Sequence, residues 1–99
     1  MAKAGLITRE IGEKLAISAL SFLAGEPDRL GRFLALTGIG PEAIRKAAAD
    51  PRFLAGVLDH VVADERLLRA VAAHAGVAPE TIEQAQAVLS GRSWEREVP

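Results

Sequence analysis

The sequence predicts an all-α domain, a compact bundle of five or six short helices. Three observations carry that expectation. Apolar residues recur with a period near 3.6 through almost every segment. Glycines close the apolar runs, and Asp or Pro opens them, which is the chemistry of helix ends. Finally, "GIGPEAIRKA" from Gly38 and "GVAPETIEQA" from Gly76 form an internal repeat. It sets two related helix–bend–helix units about 38 residues apart.

The elements follow in order. Thr8 is placed to cap a first helix, with Ile11, Leu15, Ala19 and Phe22 down one face, Ala16, Leu20 and Leu23 beside them, and Gly25 at its end. Asp28, after Pro27, is expected to cap a shorter helix with Leu30, Phe33 and Leu34 inward and Gly38 as its stop. Gly40-Pro41-Glu42 opens the next, because Pro in a first turn wastes no N–H and an acid there meets the positive dipole end. That helix is expected to run through Ile44 to about Ala49. Asp50-Pro51 repeats the device and opens the most apolar segment, with Phe53, Leu54, Val57, Leu58, Val61 and Val62 at helical spacing. This is the predicted central helix. Gly56 within it costs roughly 1 kcal/mol against Ala, so a close neighbour is expected there. Asp64 caps a fifth helix through Leu67, Leu68, Val71 and Ala75 to Gly76. Pro79-Glu80 opens a sixth, with Ile82, Ala85 and Leu89, ending near Gly91. Residues 1–91 thus read as a single helical domain, and residues 92–99, "RSWEREVP", as a charged C-terminal tail holding Trp94.

The Gly38-Ile39-Gly40 stretch imitates a dinucleotide-binding fingerprint, with Ala43 at the third small position and Asp59 where a ribose ligand would be gripped. The repeat argues for a bend instead. Ala78 replaces Gly40 in the second unit, so what recurs is the glycine stop and the proline start. Pro41 also removes an amide donor that a pyrophosphate would use.

Composition narrows the function classes. Hydrophobic residues make up 49% of the 99, a globular proportion, while aromatics are only 4%, so Leu, Ile, Val and Ala must build the core. Twelve basic and thirteen acidic residues give a net charge of −1, which supplies no basic field for nonspecific nucleic-acid binding. Without cysteine there is no disulfide framework or thiolate nucleophile. The longest uncharged run, Leu15 to Gly25, is too short for a bilayer, and no signal-peptide core follows Lys3, so a cytoplasmic location is expected.

Several constellations could carry chemistry. Residues 71–92, "VAAHAGVAPETIEQAQAVLSGR", resemble the helix-turn-helix of the LacI-type repressor family through Ala72, Ala75-Gly76-Val77, Thr81-Ile82 and Leu89-Ser90-Gly91-Arg92. The resemblance implies a second helix entering the major groove by its N-terminal end. The reading positions, however, carry Glu80, Glu83, Gln84 and Gln86, and carboxylates repel phosphates. Metal binding would draw on His60 with Asp64, joined by Asp59, Glu65 or His74. A helix break at Asp64 spoils that chelate. His60 and His74 read instead as partly exposed residues near helix C-termini. No Gly-x-Ser-x-Gly elbow is present, and Ser18 and Ser21 have no histidine nearby in sequence. No catalytic residue, cofactor or metal ligand is assigned.

Arg29 with Arg32, and Arg66 with Arg69, form an Arg-x-x-Arg pair in each unit. They read either as solvated faces pairing with Asp28 and Glu65 or as a site for an anion or acidic partner. Trp94 folds back onto the core or anchors a partner or a second copy.

Taken together, "RFLALTGI", "AADPRFLAGVLD" and "ADERLL" resemble a short alphaproteobacterial family of unknown function, from Leu15 to Leu89. The resemblance implies a helical cytoplasmic domain and transfers no site; it associates the position of His60 with an apolar or aromatic residue. The expectation is a small noncatalytic protein-interaction or regulatory module, with an unknown protein partner or self-association and no nucleic acid or membrane. Trp94, Arg29, Arg32, Arg66 and Arg69 are the candidate contacts. The alternative is a DNA-binding helix-turn-helix protein using residues 71–92.

Overall fold

The computed structural model describes residues 7–91. Six α-helices follow one another: α1 (Arg9–Ala24), α2 (Pro27–Thr37), α3 (Ile44–Ala47), α4 (Pro51–Val62), α5 (Glu65–Ala75) and α6 (Pro79–Ser90). A 3-10 turn, Pro41–Ala43, leads into α3, and no strand occurs among the described residues. The fold is an all-α bundle. The tail and Trp94 lie outside the described residues, as does Arg92 of the helix-turn-helix lookalike.

Helices α1, α4 and α6 pack mutually, and α5 lies against all three. Their facing stripes form one core cluster: Leu15, Ala16 and Ala19 from α1, Leu54, Val57 and Leu58 from α4, and Ile82 and Ala85 from α6 are all buried. Central placement of α4 therefore holds. Burial of Val57, Leu58 and Val61 is complete, which agrees with their helical spacing on one face. Small side chains bring α1 and α6 together. A Cβ at Gly12 would stand 3.2 Å from Leu89 Cδ2 and 3.5 Å from the Ala85 carbonyl oxygen. The tight contact expected at Gly56 is instead at Gly12, since nothing lies within 4 Å of a Cβ built at Gly56.

Local chemistry sets most element ends as the sequence indicates. Thr8 Oγ1 accepts the Ile11 N–H at 3.1 Å, and Asp50 Oδ1 accepts that of Arg52 at 2.9 Å. Asp64 Oδ1 accepts from Arg66 at 3.0 Å and from Leu67 at 3.3 Å. Both repeat glycines are left-handed, Gly38 at φ 76° and Gly76 at φ 75°. The residues before the two prolines match as well: Gly40 has φ −77° and ψ 156°, Ala78 φ −73° and ψ 151°. That extended conformation suits any residue, so the first unit's second glycine is incidental to the bend.

Three further expectations are corrected. Asp28 is not a cap: Pro27 occupies the first turn, Glu26 is the N-cap residue, and it makes no side-chain capping bond. The helix expected from Pro41 to Ala49 is a 3-10 turn followed by only Ile44–Ala47. Ile44, Ala47 and Ala48 are only half-buried, too little apolar surface to drive a longer helix, and Pro51 disfavours helical geometry at Asp50. Ile11 is 42% exposed rather than part of the inward face of α1.

Candidate functional site

The fold brings residues of α2, the end of α4 and the start of α5 around one open cleft of about 740 Å³. Phe33 holds α2 in place. Its fully buried ring meets Phe53 edge-on at 5.8 Å and His60 at 5.1 Å, both on α4. With Phe33 inward, the adjoining stripe of α2 presents Asp28, Arg32 and Leu36 at four-residue steps, with Arg29 beside them, to the cleft. The opposite wall begins where α4 ends. Ala63 closes α4, Asp64 turns extended at φ −128° and ψ 111°, and the first turn of α5 carries Glu65 and Arg66 to the rim.

Charges in this cleft are unequally engaged. Asp64 accepts two backbone N–H groups as the cap of α5. Glu65 Oε2 accepts from Arg69 Nη2 at 2.8 Å. Asp28 lies in the first turn of α2, where the helix dipole favours an anion. Arg29 Nε stands 3.8 Å from Glu26 Oε1, a long surface pair. Arg32 and Arg66 form no ion pair with any described residue. At the base of the cleft, His60 is held below its ordinary pKa of 6.5, chiefly by burial. The Arg32 charge pushes the same way, and Asp64 opposes it.

The two Arg-x-x-Arg pairs of the sequence are thus regrouped. Arg29, Arg32 and Arg66 share the cleft, whereas Arg69 is turned toward a smaller depression, about 460 Å³, whose lining includes Glu80 and Glu83. Two cleft residues escaped the sequence reading of the site. Leu36, 70% exposed, is one four-residue step beyond Arg32, a signal that was available. His60 was read as a partly exposed residue near a helix C-terminus, and the structure adds that its ring packs on Phe33.

The other constellations stay apart. His74 packs on Phe22 at 5.5 Å, away from His60, and no group of three or more His, Cys, Asp or Glu among the described residues converges as a metal requires. The α5–α6 bend has the connectivity of the helix-turn-helix lookalike, closed by Val77 and Gly76 N–H groups bonding to Ala72 and Ala73 carbonyls at 3.0 and 3.2 Å. Glu80, Glu83 and Gln84 are exposed on α6, and Gln86 Nε2 donates to Asp59 Oδ1 of α4 at 2.6 Å. Among the described residues, no helix is long and apolar enough to cross a membrane.

A family model described as "protein of unknown function (DUF3572)" matches residues 9–92. The chain belongs to DUF3572. The match takes in all six helices and the whole arginine cleft, and it contains the Leu15–Leu89 stretch that carried the family resemblance. No curated protein and no solved structure matches this DUF3572 chain.

Proposed function

We propose that this protein is a noncatalytic interaction module that docks a protein partner in the cleft between α2 and the α4–α5 junction. The observation that carries the reading is the convergence of Arg29, Arg32 and Arg66 from two helices beside the exposed side chain of Leu36. Arginine next to apolar surface is a favoured composition for protein recognition, because the guanidinium combines hydrogen-bond donors with a weakly hydrated plane. The cleft offers little to catalysis. Its lining includes no Ser, Thr, Cys or Lys, and His60 is engaged with the Phe33 ring. The absence of cysteine and the balanced charge support the reading of a cytoplasmic module that contacts neither nucleic acid nor membrane.

A photo-crosslinking amino acid at position 36, introduced in the native cell, tests the reading. Discrete adducts at position 36, absent when the probe replaces Ala87 on the exposed face of α6 or Glu42 in the 3-10 turn, are expected. No adduct at position 36, or the same adducts at all three, would contradict it.

A further inference from the structure

We infer that residues 26–49 form a strap that swings away from α1, α4, α5 and α6 as one unit, with Phe33 as its latch. Between Leu23 and Leu54 the chain buries a single side chain, that of Phe33, which is fully enclosed. By contrast, α1, α4, α5 and α6 each bury three to six residues. Leu30, Leu34, Ile44 and Ala48 touch the core but stay half-buried. Burial of apolar area is what holds a helix to its neighbours, so the strap is the most weakly attached part of the described fold.

Polar ties do not make up the difference. Thr37 Oγ1 donates to the Leu34 carbonyl, the Ile39 N–H donates to Thr37 Oγ1, and Arg29 pairs with Glu26, all within the strap. No side-chain cap starts α2, the 3-10 turn or α3, whereas Thr8, Asp50 and Asp64 cap α1, α4 and α5. Gly31 weakens α2 further. A Cβ there would meet nothing within 4 Å, so this glycine lowers helix propensity without serving a close approach. Side-chain bonds that are all internal travel with the segment, which is hinged at exposed Gly25 and between Ala49 and Asp50. Opening uncovers Phe53 and His60, about two turns apart on one face of α4, whose rings meet Phe33 when the strap is closed. It also removes the α2 wall of the cleft, so any occupant spanning both walls binds the closed form alone. The opening itself does not depend on what the cleft binds.

Amide hydrogen exchange of the full chain, across a urea series below the unfolding transition, is the test. The hydrogen-bonded amides of Leu30, Gly38 and Ala48 report on the strap. They should be protected at least about tenfold less than those of Val61, Val71 and Ala85, and should share one shallow urea dependence where the latter share a steep one. A common protection and slope across all six helices would overturn the strap. So would amide-by-amide differences with no urea dependence, the mark of fraying. Phe33→Ala deletes the latch, and the strap amides should lose about tenfold or more of their protection. Those of Val61, Val71 and Ala85 should fall by no more than the strap's own protection factor in the native protein. A larger loss there would make Phe33 part of the global core and overturn its role as latch. If the variant does not fold, Phe33 is likewise no latch, and the urea series on the native protein decides whether the strap opens.

Discussion

At His60 two demands meet, since the ring packs on Phe33 in the core and also faces Arg32 and Asp64 in the cleft. Burial makes the imidazolium unfavourable, so the folded pKa lies below the 6.5 of an unperturbed histidine. Above that value both folded and unfolded chains are neutral here, and the group does not affect stability. As pH falls through 6.5, the unfolded chain takes up a proton that the folded one resists, so stability declines until the folded group also titrates. Melting temperatures measured from pH 7.5 down to 5.5 should therefore fall more steeply for the native protein than for His60→Phe; equal slopes would contradict the assignment. Sequence spacing placed His60 near a helix C-terminus but not against Phe33. That contact depends on how α2 docks across α4, which no local signal encodes.

The helix ends show which element properties are local. Gly38, Gly76, Asp50 and Asp64 were legible because stops and caps arise from a residue and its near neighbours in sequence. The bend between α2 and the 3-10 turn allows a paired test. Gly38 is left-handed, so Gly38→Val should destabilise by about 1 kcal/mol or more in denaturant melts. Gly40→Ala reproduces what stands at Ala78 in the second unit. Its Cβ would meet only the movable carboxylate tip of Glu42, at 2.7 Å, and the change should stay within about 0.5 kcal/mol. A reversed order would mean that the repeat misplaces the bend. The shortness of α3 was not legible, because Ile44 and Lys46 have acceptable helix chemistry and only the scarcity of core beneath them stops propagation. Asp28 was misread for a different reason: two adjacent residues both suit a helix start, and Pro27, with its fixed φ, took the first turn.

For the whole molecule, composition indicated the helical core and its dependence on small residues, which the Gly12–Leu89 approach illustrates. The cleft could not be read in the same way. Arg32 and Arg66 belong to different repeat units, and their pairing in space requires Phe33 to seat α2 beside the α4–α5 junction. The same global view sets the expectation for DNA. At net charge −1, with Glu80 and Glu83 exposed at the N-terminal turns of α6, the protein should show no binding to mixed-sequence duplex at physiological salt. Micromolar binding that survives at that salt would instead favour the helix-turn-helix alternative. The central claim, that the cleft is the docking surface, is tested most directly by moving the photo-crosslinking residue along the protein in the native cell. Adducts should form from positions 29, 32, 36 and 66 of the cleft, and not from α3 or the exposed face of α6. Adducts centred on α6, or spread evenly over the exposed positions, would contradict it.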